Sequence, residues 1–288
     1  MSTRWRSEIP EYQTTLKAAF SYEGAGLHSG VPCRIDVRPA PAGSGLQFFS
    51  EGVNVPALAE YVVETARATV LGKDGVTIST VEHVLAALFG SGVANAAIHV
   101  HGPEIPVADG SAKVFTTLIA QSGIVAQSAV RARYIPLAPA FVRDGERAVI
   151  VLPAAQLRVR FLADFAPPIG TQYFDAEITP QLFADEIAGA RTFGYLHEVE
   201  ALRKRGLAQG GTLENALVFA PDGPMQPMRW SNEPVRHKVL DLLGDFALLG
   251  AWPQCEIVAI KSGHKLHCIA TNELRRSAQS TLPSAQVR

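Results

Sequence analysis

The chain has 288 residues, 47% of them hydrophobic and 18% charged, a composition that excludes intrinsic disorder and supplies apolar surface for one large core or two modest ones. Its 26 Lys and Arg nearly balance its 27 Asp and Glu, so no global field draws it to nucleic acid or an anionic lipid surface, and any partner is recognised locally. Cys33, Cys255 and Cys268 are an odd set without a CxxC pair, which argues against a disulfide framework and a thiolate zinc site and for buried thiols in a reducing compartment.

Residues 1–12 are polar and carry no apolar leader core, and no stretch approaches the ~18 apolar residues of a membrane span. A mobile first end, a cytoplasmic location and no transmembrane segment are therefore expected. Alternating runs at 34–37, 97–100, 148–152 and 256–260 predict strands. Apolar spacing of three and four residues predicts helices over 79–89, 112–120, 180–188, 198–205 and 233–249. Between them, Gly123, Pro136 and Pro139 punctuate a helix-to-strand change, which sets a domain boundary near residue 128. The expectation is an α+β protein of two similar two-layer sandwiches, 13–127 and 128–274, although no internal repeat is visible. Residues 275–288 form a second polar end, expected to be mobile.

The 233–249 helix is apolar around most of its circumference, as in a buried helix. His237, Asp241 and Asp245 recur every four residues along its one polar stripe, with Lys238 beside them. An amphipathic helix with a narrow wet face accounts for such a stripe. Crowded carboxylates and an imidazole, however, need a compensating cation or solvent, and HxxxD places a nitrogen and an oxygen one turn apart, in reach of a single Zn²⁺. In STVEHVLAALFG (79–90), Val81, Val84, Leu85 and Leu88 make a core stripe and His83 points elsewhere. His83, His237 and Asp241 then form a two-His, one-carboxylate set with a fourth position left for water. Glu82 is about 100° away on the helix, placed for a general base; equally, Ser79 and Glu82 satisfy a capping box. In KSGH (261–264), a turn at Gly263 projects His264 from the end of a strand, either as a general acid or as an ordinary loop histidine. His267 falls on a further strand pattern and is read as structural.

In order, the motifs GAGLHSG (24–30), STVEHVLAAL (79–88), EIPVADGSA (104–112), ARTFG (190–194), GLAQGGTLENALV (206–218), NEPVRHKVLDLLGD (232–245) and KSGH (261–264) closely resemble the family of zinc deacetylases that act on UDP-3-O-acyl-N-acetylglucosamine at the committed step of lipid A synthesis. The resemblance spans about residues 13–272. It implies two domains of β-α-α-β topology with the active site between them, and a monomer acting on a UDP-activated acylated amino sugar. It also implies Zn²⁺, or Fe²⁺ on the same ligands, held by His83, His237 and Asp241. Glu82 becomes the base and His264 the acid; Asp245 orients His264, and Lys238 and Thr192 stabilise charge at the scissile carbonyl. Phe193 stands beside the site. Leu196, Val199 and Ala208 match an acyl passage near Gly210 and Gly211, and Phe165 matches an aromatic that stacks on uracil. Two positions depart from the family pattern: Pro167 stands where His is common, and His267 where Asn is usual.

The chemistry implied is hydrolysis of an N-acetyl amide, with Glu82 taking a proton from water and His264 protonating the departing amine; paired acid and base roles predict a bell-shaped pH profile. A catalytically silent UDP-sugar binder is expected to lose Glu82, a ligand or His264, and all are present; the departures at Pro167 and His267 leave a divergent paralogue that takes a related acylated ligand as the alternative. A peptidase of the HExxH type is excluded, since that motif is absent.

Overall fold

The computed structural model describes residues 5–278. They form a mixed α/β arrangement of helices and several sheets with no closed barrel. Two five-stranded sheets dominate. The first is ordered Phe20–Ala25, Pro32–Pro39, Ala96–His101, Leu46–Ser50, Val53–Pro56. The second runs Ala140–Asp144, Arg147–Pro153, Cys255–Ile260, Arg158–Asp164, Thr171–Glu177. In both, every neighbouring pair is antiparallel except one, formed by the strand last in sequence and the third. Each last strand is preceded by a helix, Glu82–Gly90 or Glu233–Ala247, and followed by another, Lys113–Ser122 or His264–Ala278. One strand order is thus used twice by sequences that share no visible repeat.

Alternation explains which sheet face is inside. Cys33, Ile35 and Val37 are buried along Pro32–Pro39, as are Cys255, Ile257 and Ala259 along Cys255–Ile260, while the residues between them are less covered. All three cysteines are free and buried. The Glu82–Gly90 and Glu233–Ala247 helices pack on each other at the centre. Leu85 and Leu88 of one and Leu240, Leu243 and Phe246 of the other are fully excluded from water, each stabilising the fold by roughly 1.5–3 kcal/mol. Gly244 permits the close crossing: a Cβ there would overlap the carbonyl of Glu82 and lie 2.9 Å from its Cα. The helices therefore meet backbone to backbone at Gly244 and Glu82.

The local structure differs from several expectations. Residues 180–188 are only briefly α-helical, over Pro180–Leu182, before a π-helical turn at Phe183–Ile187. Residue 128 falls within the strand Ile124–Val130, which pairs back antiparallel onto Tyr12–Leu16. Of the two ends expected to be mobile, residues 1–4 and 279–288 lie outside the described residues. The rest is structured: Arg131 donates to the carbonyls of Pro10 and Glu11, Gln181 donates to that of Arg6, and Trp5 and Ile9 pack on the core. At the other end, Arg275 lies in a helix and pairs with Glu60 at 2.6 Å. The segment after KSGH is that same helix and not a strand. Its first residue is His264, and the positive φ of the turn falls at Lys261, not Gly263. Among the described residues, no helix is long and apolar enough to cross a membrane.

Candidate metal centre and its catalytic cluster

The crossing of the two central helices brings His83, His237 and Asp241 together, each almost fully buried, with one ligand atom apiece and all of these within 4.8 Å of one another. His237 Nε2 lies 3.3 Å and His83 Nε2 3.9 Å from Asp241 Oδ1, and the two rings meet edge to face at 5.1 Å. The Nδ1–H of His237 donates to the Ala190 carbonyl at 3.0 Å, which fixes the tautomer and leaves the Nε2 lone pair facing Asp241.

The electrostatics of the trio suit a cation. Burial, followed by the neighbouring His237, pushes His83 down to about 3, and burial also lowers His237. Both rings are neutral donors near pH 7. Burial acts to raise Asp241, but His237, Lys238, His264 and His83 around it prevail and hold its carboxyl well below the usual range. Two neutral imidazoles and one carboxylate, buried and converging from two helices, fit a divalent metal ion.

Glu82 is 3% exposed, and burial pushes its carboxyl up to about 7. The capping-box alternative is overturned. Val81 and not Ser79 precedes the helix, no side chain caps it, and Glu82 Oε2 instead accepts from the backbone N–H of Thr69 at 3.0 Å. His264 enters from the opposite side: its Nε2 is 3.9 Å from Glu82 Oε1 and 3.8 Å from Asp241 Oδ2. Burial would lower His264, but the charges of Asp245 and Asp241 outweigh it and raise the ring to about 9. Asp245 Oδ2 accepts from His264 Nδ1 at 2.9 Å, and Asp245 Oδ1 accepts from the Thr69 hydroxyl at 2.6 Å. Lys238 donates to Asp241 Oδ2 at 2.9 Å, with its ammonium 5.7 Å from the Phe193 ring centre.

Of the other sequence-predicted residues, Phe193 packs edge-on to His237 at 6.1 Å and to Phe165 at 5.2 Å, so an aromatic wall rises from the trio. Thr192 is placed by its backbone, donating to the Gly110 carbonyl and accepting from Leu217 N–H. Phe165 lines a cleft of about 490 Å³ with Lys238, Lys261, Arg147 and Ser262. Leu196 and Val199 lie on the Leu196–Lys204 helix, which buries none of its residues; Leu196 is 45% exposed. Gly210 and Gly211 follow Ala208, and the N–H of Gly210 donates to the Leu27 carbonyl. A Cβ on Gly210 would overlap the Gly26 carbonyl.

Three supporting groups escaped the sequence reading. Thr69 ties Glu82 to Asp245; Glu104 accepts from the N–H groups of His28 and Ser29 and from the Ser29 and Thr80 hydroxyls; Glu233 accepts from Arg191 and from Arg229 N–H. None announces itself by spacing. Glu104 and Glu233 fall inside the motifs EIPVADGSA and NEPVRHKVLDLLGD, but neither was given a role there.

A buried two-His, one-carboxylate trio with a flanking carboxylate and a cationic imidazole defines the class of metal-dependent hydrolases. Residues 13–276 match the family of UDP-3-O-acyl N-acetylglycosamine deacetylases, LpxC, and the chain belongs to that family. Among its relatives, the UDP-3-O-acyl-N-acetylglucosamine deacetylase of Nostoc sp. (strain PCC 7120) is 44% identical over 266 residues, covering 88% of this chain and 95% of that protein. The deacetylase of Myxococcus xanthus is 43% identical, covering 88% and 83%. That of Geotalea uraniireducens is 41% identical, covering 92% and 89%.

Proposed function

We propose that the chain hydrolyses the N-acetyl amide of UDP-3-O-acyl-N-acetylglucosamine, giving acetate and the free amine, at the committed step of lipid A synthesis. The observation that carries this reading is the convergence of Glu82 and His264, from two different helices, on the His83, His237 and Asp241 trio. These three would hold zinc, which when bound supplies Lewis acidity to water and to the amide carbonyl.

The chain's own groups divide the remaining work. Glu82 takes the proton from the attacking water; the C–N bond then breaks, and its electron pair goes to nitrogen as His264 Nε2 delivers a proton to it. Asp245, accepting from Nδ1–H, orients His264 and stabilises its imidazolium form, the form that carries a proton on Nε2 toward the site. Lys238 and Thr192 lie where charge develops on the carbonyl oxygen, and a fixed donor there contributes about 3–4 kcal/mol. Phe193 and the cleft bearing Phe165 and Lys261 offer a stacking face and cations for a nucleoside diphosphate. Leu196, Val199 and Ala208, beside Gly210 and Gly211, take the acyl chain. The repeated strand order supports the division into two similar sandwiches, with the connection beginning after residue 130.

Acetate release from the UDP-acyl-GlcNAc substrate tests the reading. Wild type is expected to turn over, chelation to abolish turnover, zinc to restore it, and Glu82→Gln to lower kcat by at least ~100-fold. Undiminished turnover after chelation and in Glu82→Gln would sink it.

A further inference from the structure

His267 lies three residues beyond His264 on the same helix and is fully buried. Its Nδ1 is 2.9 Å from Asp245 Oδ2, the oxygen that His264 Nδ1 also reaches at 2.9 Å. A carboxylate only accepts, so both rings donate from Nδ1. The far nitrogen of His267, Nε2, is 2.9 Å from Ser262 Oγ, whose hydroxyl donates to it. The Phe161 ring stands edge-on at 6.1 Å and holds the imidazole plane. With Thr69 on the other oxygen, Asp245 is gripped by three side-chain donors.

We propose that His267 is a positioning residue: backed by Ser262, it locks the rotation of the Asp245 carboxylate and thereby the direction in which His264 presents Nε2. Without it, only Thr69 and His264 itself hold the carboxylate, so acid and anchor swing together. Since His267 is sealed from the surface and touches no reacting atom, its contribution falls on kcat. This rests on the deacetylase reading.

Two variants separate positioning from packing. His267→Asn puts an amide N–H where Nδ1 stood; His267→Leu keeps bulk and removes the donor. For His267→Leu, kcat is expected to fall about 10–100-fold, the usual cost of removing a supporting partner, with KM within ~2-fold of wild type. His267→Asn should stay within ~3-fold of wild type, as the retained hydrogen bond requires. Equal losses in the two variants, or a loss carried by KM, overturn the proposal. Proton NMR provides a readout that needs no turnover. Wild type should show two low-field imidazole N–H signals, from His264 and His267; His267→Leu should remove one and shift the other. A spectrum with only one such signal in wild type overturns the positioning role, whereas absent acetate release by wild type counts against the deacetylase reading alone. Should His267→Leu fail to fold, Ser262→Ala decides: its His267 signal should move and kcat fall about 3-fold, as loss of one neutral hydrogen bond implies, and no change in either overturns the proposal.

Discussion

Two carboxylates that both face His264 Nε2, at 3.9 and 3.8 Å, are driven in opposite directions by their surroundings. Glu82 and Asp241 are both buried, but Asp241 has His237, Lys238, His264 and His83 around it, whereas the one cation beside Glu82, His264, is opposed by the charges of Asp241 and Asp245, so burial wins at Glu82 and loses at Asp241. That divergence suits the proposed division between Glu82 as base and Asp241 as metal ligand. Farther out, Glu233 and Arg191 form a buried bidentate pair at 2.8 and 3.1 Å, and the residue before Arg191 supplies the carbonyl that orients His237. Removing one member of a buried pair strands the other. Glu233→Gln is therefore expected to lower the unfolding free energy by about 3 kcal/mol, measured on metal-free protein so that binding does not mask it. Zinc affinity should fall about 10-fold, because a partner supporting a metal ligand is lost. A change under ~1 kcal/mol with unaltered affinity would mean that the pair neither stabilises the fold nor orients His237.

The helix pair sets the precision of the site. Its apolar periodicity and the HxxxD stripe were legible in the sequence, because a buried helix with a polar stripe demands explanation; the meeting of that stripe with His83 depends on the crossing of two helices far apart in the chain. The contact at Gly244 was not legible, since a glycine inside a helix has no signature that tells tolerance from close approach. Gly244→Ala makes the distinction measurable. The new methyl meets the Glu82 backbone and no flexible side chain, so the helices must separate. A destabilisation of about 1–3 kcal/mol is expected, against a propensity gain of ~1 kcal/mol for Ala over Gly, together with a kcat loss of at least ~10-fold, since small misplacements are costly in catalysis. An unchanged kcat with raised stability would show that the crossing has slack. The helix after KSGH was misread as a strand for the opposite reason: KLHCIA alternates well enough in a short window to mimic one, and its helical period emerges only with the polar residues that follow.

At the scale of the molecule, one sheet order is built twice by sequences with no visible repeat, so only the backbone pairing discloses it. The assembly is held in part by the 26–30 loop, whose carbonyls at Leu27 and His28 accept from the N–H groups of Gly210 and Gln209. Behind this loop stands Glu104. Burial acts to raise it, but the N–H groups of His28 and Ser29 and the hydroxyls of Ser29 and Thr80 outweigh burial and hold its pKa below the ordinary value. The sign follows from linkage. A carboxylate depressed in the folded state contributes stability that is complete above its unfolded pKa of about 4.3 and is lost as pH falls through the folded value. Replacing the acid by its amide puts an NH₂ against existing donors, so Glu104→Gln should destabilise by about 1–3 kcal/mol at pH 7. The gap between wild type and variant should then narrow as pH falls below about 4.3, because wild type alone loses this term while the amide does not titrate. Urea unfolding of both proteins at pH 7 and again near pH 3.5 measures the gap. One that stays constant across that range would show that Glu104 is not the anchor on which the loop, and with it the contact to Gly210, depends.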